Sequence, residues 1–230
     1  MKRSSLLFAL IGALTLGHGA VTAQTIGIGA GIAAAGTNIG QAGGELNDFF
    51  QQEQITYGGV ADRIGFYGSI NGRLGLLDFM RITADASYIY FQAAQVTLQS
   101  ASINQADSTV NATFEVGTSM IPIYVGGAIE LPLPIIKPYI GAQVGYTYIN
   151  RTYSYVRGSD QLRDVDLSNK STGDPEFGLA ISAGVDLALG IATVEVGGRY
   201  TLANLFSTSG DDKPMRYLEL GAAVYFGGGF

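Results

Sequence analysis

The chain has no cysteine and no tryptophan, and its single histidine is His18. Without cysteine there can be no disulfide scaffold, thiolate zinc site, iron–sulfur ligation or cysteine nucleophile. Charge is also scarce. Charged residues make up 14% of the 230, with 13 Lys+Arg against 19 Asp+Glu and a net charge of −6. That balance lacks the basic footprint of a nucleic-acid binder, and the 47% apolar content is too high for a disordered chain. After residue 24 no apolar run approaches the about 20 residues of a spanning helix. The most apolar window, Ile121 to Ile136, is broken by Pro122, Glu130, Pro132 and Pro134.

The N-terminus carries an export pattern. Lys2 and Arg3 precede an apolar core from Leu6 to Leu16, and small residues follow, with Val21 and Ala23 at the −3 and −1 positions. This predicts a signal peptide over 1–23 cleaved after Ala23, leaving a mature domain over 24–230. His18 leaves with the peptide.

Beyond that point the apolar period is two, the spacing of a strand with two unlike faces. Ile64, Phe66, Ile70, Leu74 and Leu76 alternate with Arg63, Tyr67, Ser69, Asn71 and Arg73. Met80, Ile82, Ala84, Ala86, Tyr88 and Tyr90 oppose Arg81, Thr83, Asp85 and Ser87. Further runs cover Pro138–Asn150, Glu176–Leu189, Thr193–Leu202 and Tyr217–Phe226, and Thr25–Ala34 alternates isoleucine with glycine. From Thr109 to Leu131 the apolar phase changes after Ser119, which predicts a β-bulge near Pro122. The total is eight strands.

Their connections alternate between short ones (at Leu77, Pro132–Lys137 and Gly190–Ile191) and long ones (Ala35–Asp62, about Gln95–Ser108, Arg151–Pro175 and Ser207–Pro214). Short turns at one end and long loops at the other are the pattern of outer-membrane barrels. A sheet in hydrocarbon must close on itself because nothing there can pair an open edge. The expected fold is therefore all-β, an eight-stranded antiparallel up-and-down transmembrane β-barrel preceded by a signal peptide. Its location would be the bacterial outer membrane, as an integral protein. A soluble lipocalin-like barrel alternates too, but with its apolar set inside. The aromatic ends of the apolar faces, at Tyr88, Tyr90, Tyr146, Tyr148 and Tyr200, favour the membrane arrangement.

The polar faces then line the lumen. They predict ion pairing there among Arg63, Arg73, Arg81, Asp85, Glu115, Glu130, Asp186, Glu195, Arg199 and Glu219. Buried charge has to be paired, and the guanidinium fork suits that task. Other patterns fail. Gly27, Gly29 and Gly31 do not complete a phosphate loop, because the position for the last glycine is Ile32 and no strand precedes it. The acidic stretch Asp160 to Glu176 lacks the EF-hand glycine, having Asn169 at its place. No metal and no cofactor are expected.

Three segments carry a family resemblance. KPYIGAQVGYTYI (Lys137–Ile149) resembles the "PYVGAGVGY" strand of small OmpA/OmpX-type outer-membrane barrels, and GELNDFF (Gly44–Phe50) resembles the segment after their first strand. The terminal RYLELGAAVYFGGGF resembles the aromatic-ended strand read by the barrel-assembly machinery, which implies Phe226 and Phe230 as assembly signals. The resemblance implies outer-membrane lipids, lipopolysaccharide and that machinery as partners, and a monomer. Barrel enzymes of this membrane rely on a histidine, so the mature chain is not expected to be an enzyme. The function expected is structural or adhesive, through the long loops. The alternative is a narrow pore or a carrier for small apolar molecules.

Overall fold

A computed structural model describes residues 23–36, 63–102, 109–158, 175–203 and 215–227. All of the signal-peptide segment but Ala23, together with Gly44–Phe50, the acidic stretch before Pro175 and Phe230, lies outside the described residues. Eight strands run in order: β1 (Ala23–Ala35), β2 (Arg63–Leu77), β3 (Met80–Ser102), β4 (Thr109–Glu130), β5 (Ile136–Gly158), β6 (Glu176–Ala188), β7 (Ala192–Ala203) and β8 (Met215–Phe226). Each pairs antiparallel with its sequence neighbours, and β1 pairs with β8 from Ile26↔Phe226 to Ala35↔Tyr217, which closes the barrel. No helix among the described residues is long and apolar enough to cross a membrane.

The two-residue period has the expected consequence, inverted relative to a water-soluble protein. Ile26, Ile28, Phe66, Ile70, Ile123, Ile140, Val144, Ile181, Val196 and Leu220 all stand exposed on the outer wall. Asn71, Arg81, Gln143, Asp186 and Glu219 are buried within. Toward the long-connection end the wall carries Phe66, Tyr88, Tyr90, Tyr146, Tyr148 and Tyr200. Tyr146 packs edge-on against Phe177, with ring centroids 5.5 Å apart.

Two expectations need correcting. The loops placed at Gln95–Ser108 and Arg151–Pro175 are shorter, because β3 and β5 continue to Ser102 and Gly158, 23 residues each. At about 3.3 Å per residue such a strand is roughly 75 Å long, far beyond the 9–11 residues a membrane requires. Above Gly65↔Phe91 and Thr147↔Glu176, the ends of the pairing with β2 and β6, strands β3–β5 continue as a three-stranded sheet. The bulge expected in β4 near Pro122 is not there. The β4–β5 register runs unbroken from Phe114↔Tyr155 to Glu130↔Tyr139, and the irregularities fall at Thr113/Phe114, Phe91/Ala94 and Leu98/Ala101. Because alternation is continuous below Phe114, odd residues of β4 keep the outer face all the way.

Candidate functional site: the charged lumen

The lumen is built in layers. Nearest the short turns, Arg81 Nη1 donates to Glu130 Oε2 at 2.8 Å and pairs with Asp186. Arg73 Nη1 reaches the same Asp186 Oδ2 at 3.0 Å, while its Nη2 pairs with Glu195. Tyr139 and Tyr225 donate their hydroxyls to the two oxygens of Glu195, at 2.9 and 3.3 Å.

The next layer centres on Arg199. Its guanidinium holds Glu219 through two bonds of 2.6 and 2.8 Å, the bidentate geometry that suits arginine, and donates to Ser87 Oγ at 3.1 Å. Asp85 approaches the same guanidinium at 3.6 Å and accepts from Gln143 Nε2, which also donates to Thr83. Each arginine also faces a tyrosine ring. The centroid distances are 3.3 Å for Arg73 on Tyr225, 4.4 Å for Arg81 on Tyr139 and 5.7 Å for Arg199 on Tyr124. Such stacking adds to the pairing of a desolvated cation.

Between the layers lies a polar cavity of about 70 Å³ lined by Asn71, Asp85, Gln143, Ser182, Glu195 and Tyr225, among others. Missing side chains make room for the tyrosines that line it. A Cβ at Gly197 would stand 2.8 Å from the Tyr139 hydroxyl, and one at Gly221 would collide with that of Tyr67.

The structure thus brings together Arg73, Arg81, Asp85, Glu130, Asp186, Glu195, Arg199 and Glu219. Glu115 does not join them. It is exposed and pairs in register with Gln95 and Ser154, because the unbroken alternation of β4 turns odd positions outward. Arg63 starts β2 opposite Ala35, and its side chain lies outside the described residues. Phe226 ends β8, exposed on the outer wall. Among the described residues no group of three or more acidic or histidine side chains could hold a metal ion.

One layer escapes a rule that assigns apolar faces to the outside. Toward the long-connection end the lumen is filled by Ile89, Phe91, Met120, Ile149, Met215 and Tyr217, packed with Ala33, Ala35 and Ala203. The signal was present: Ile89 and Phe91 continue the odd, charged face of β3, out of phase with its outward Tyr88 and Tyr90.

The barrel fold is similar to that of solved structures. Neisserial surface protein A (NspA) superposes with a TM-score of 0.51 at 18% identity, covering 88% of this chain and 96% of that one. The likeness is one of fold. Ail, the attachment invasion locus protein of Yersinia pestis, matches more loosely, with a TM-score of 0.40 at 11% identity over 89% of this chain and 99% of that one. No family model matches the chain, and no curated protein does.

Proposed function

We propose that the chain is an integral bacterial outer-membrane barrel, of the small OmpA/OmpX type, whose wall is a scaffold for the connections at its long-loop end. One observation carries this reading: a closed barrel exposes a belt rich in isoleucine, valine and leucine while enclosing three arginines and five carboxylates in its lumen. Water would penalise that arrangement, and hydrocarbon requires it. The tyrosine-rich rim supports one membrane interface, and the NspA-like fold agrees with it. The sheet that β3–β5 extend beyond the rim is a platform suited to surface contact, in adhesion or envelope integrity. Outer-membrane lipids and lipopolysaccharide would surround the wall of a monomer. The barrel-assembly machinery would read the β8 end, with Phe226 and Phe230.

Catalysis is not part of this reading, since the chain after its leader offers no histidine for acid or base work. A pore or carrier is the second reading, favoured by the polar cavity. An eight-stranded barrel holds its own side chains or one small ligand, and here ion pairs and an apolar layer fill most of the bore. The test is fractionation. The mature chain should partition with the outer membrane and migrate differently on gels before and after heating. Recovery as a soluble periplasmic protein would overturn the reading.

A further inference from the structure

The short-turn end is apolar where water-facing turns would be polar. Its three turns, Asp78–Phe79, 131–135 and 189–191, contain one charged residue, Asp78. Phe79, Leu131, Leu133, Ile135, Leu189 and Ile191 are all exposed, Ile191 at 92%. These turns are held together. Glu130 N donates to Phe79 O at 2.9 Å, Ala188 N to Ile135 O at 2.9 Å, and Leu189 N to Ala192 O at 2.9 Å. Gly190, at φ +84°, gives the last turn the left-handed residue it needs to project Ile191.

We propose that this crown is inserted into lipid, its side chains lying at the acyl–headgroup boundary of the leaflet at the short-turn end and not in the aqueous periplasm. The proposal rests on the membrane reading above and adds a second, vertical statement to it. Two observations choose lipid over a second copy or a protein partner. The crown continues the outer wall in phase, with Leu131 following Ile129 and Leu189 following Leu187 on the same face. The wall also leaves no depth to spare. At about 3.4 Å per residue and a tilt of about 40°, the stretch from Tyr200 to Ile191 spans roughly 23 Å and that from Tyr146 to Ile136 roughly 26 Å. The apolar band of such barrels is about 25 Å tall, so hydrocarbon measured from the tyrosine rim reaches the turns themselves. A second aromatic girdle is expected at that level. At that level Phe79 and Phe226 face outward, Tyr139 and Tyr225 point into the lumen, and the rest of the boundary is aliphatic. Aliphatic side chains at this depth would fix how far the barrel can slide toward the long-loop side.

The absence of tryptophan makes the test clean. The full chain is refolded into phosphatidylcholine vesicles as four single variants: Ile191→Trp, Leu133→Trp, the wall control Val144→Trp and the protruding-sheet control Val156→Trp. Folding is checked by gel migration before and after heating. With acyl-brominated phosphatidylcholine, Ile191→Trp and Leu133→Trp should lose emission as Val144→Trp does, show blue-shifted spectra and resist aqueous acrylamide. Val156→Trp should do the opposite. Acrylamide quenching at both turn positions, with Val144→Trp still quenched by lipid, overturns the inserted crown and leaves the membrane reading standing. Turn tryptophans shielded from acrylamide, untouched by brominated lipid and released on protein dilution would mean a second copy, and also overturn it. If brominated lipid fails to quench Val144→Trp, the membrane reading falls and the crown with it.

Discussion

Asp186 and Glu195 stand directly opposite each other on β6 and β7, two carboxylates in one register pair. Like charges so placed repel. They remain because Arg73 crosses the lumen from β2 and pairs with both, while Arg81 reaches Asp186 from β3. A local conflict between neighbouring strands is thus resolved by residues on the opposite wall, and the two halves of the barrel are tied together.

Removing that tie should be costly. Arg73→Met leaves the Asp186–Glu195 pair with Arg81 alone, and orphaning buried charge typically costs about 3–5 kcal/mol. Urea titration of the refolded protein should show the loss. Arg73→Met combined with Glu195→Gln should recover part of it. Additive losses in that double variant would mean that the two groups are not coupled.

Val144 and Val156 are equally exposed, at 44% and 43%, on the same strand. Only the first lies on the wall below the tyrosine rim. Val144→Arg should cost about 2–4 kcal/mol, the value for a cation near the bilayer midplane. Val156→Arg, on the protruding sheet, should stay within about 0.5 kcal/mol of wild type, as exposed substitutions do. Equal effects in refolding titrations would remove the membrane from the explanation.

Glycines on the two faces should differ sharply. A Cβ at Gly145 would strike the Ile123 carbonyl and stand 2.7 Å from Tyr124 Cα, both backbone that cannot turn aside. At Gly68 the nearest atom is 4.0 Å away, the carbonyl of Gly29. Gly145→Ala should therefore destabilise by about 1–3 kcal/mol. Gly68→Ala should be neutral or slightly stabilising by the same assay.

Conduction separates the ion pairs from the apolar layer. Arg199→Ala strips Glu219, 2% exposed, of its bidentate partner and should lower stability by about 3–5 kcal/mol. Stable bilayer currents should still not appear, because Phe91, Met120 and Tyr217 close the bore above and an apolar constriction stays dewetted. Adding Phe91→Ala and Met120→Ala should open it. Steady conductance from Arg199→Ala alone would give the barrier to the charges, and the pore reading would move ahead.

The strand count and inside–outside polarity were legible in the sequence because lipid and lumen impose opposite demands on alternate residues, as along Ile140, Ala142 and Val144. The same rule is silent where that contrast stops. Beyond Gln92 and Asn150 neither face meets hydrocarbon, so nothing in the pattern announces that β3 and β5 continue. Glu115 faces outward against expectation for the same reason: in the protruding part of β4, polarity no longer reports direction. Within the lumen, Arg81 and Arg199 were identifiable as inward charges. Their partners were not, since Glu130, Asp186 and Glu219 meet them through register and closure. Ile89 and Phe91 are hidden by their chemistry, because polarity alone sends apolar residues to the lipid face.

The β1–β8 seam has a kinetic meaning. Seven of the strand pairings join consecutive strands and can form as the chain lengthens, whereas Ile26↔Phe226 to Ala35↔Tyr217 joins opposite ends of the described chain. Until β8 is in place, β1 presents a bare edge, which is tolerable in water and prohibitive in lipid. Closure must therefore be the late event, and its long-range pairing the slow one. A chain shortened before Met215 should arrest as an unsealed sheet on the membrane surface, a natural substrate for proteases that clear failed intermediates.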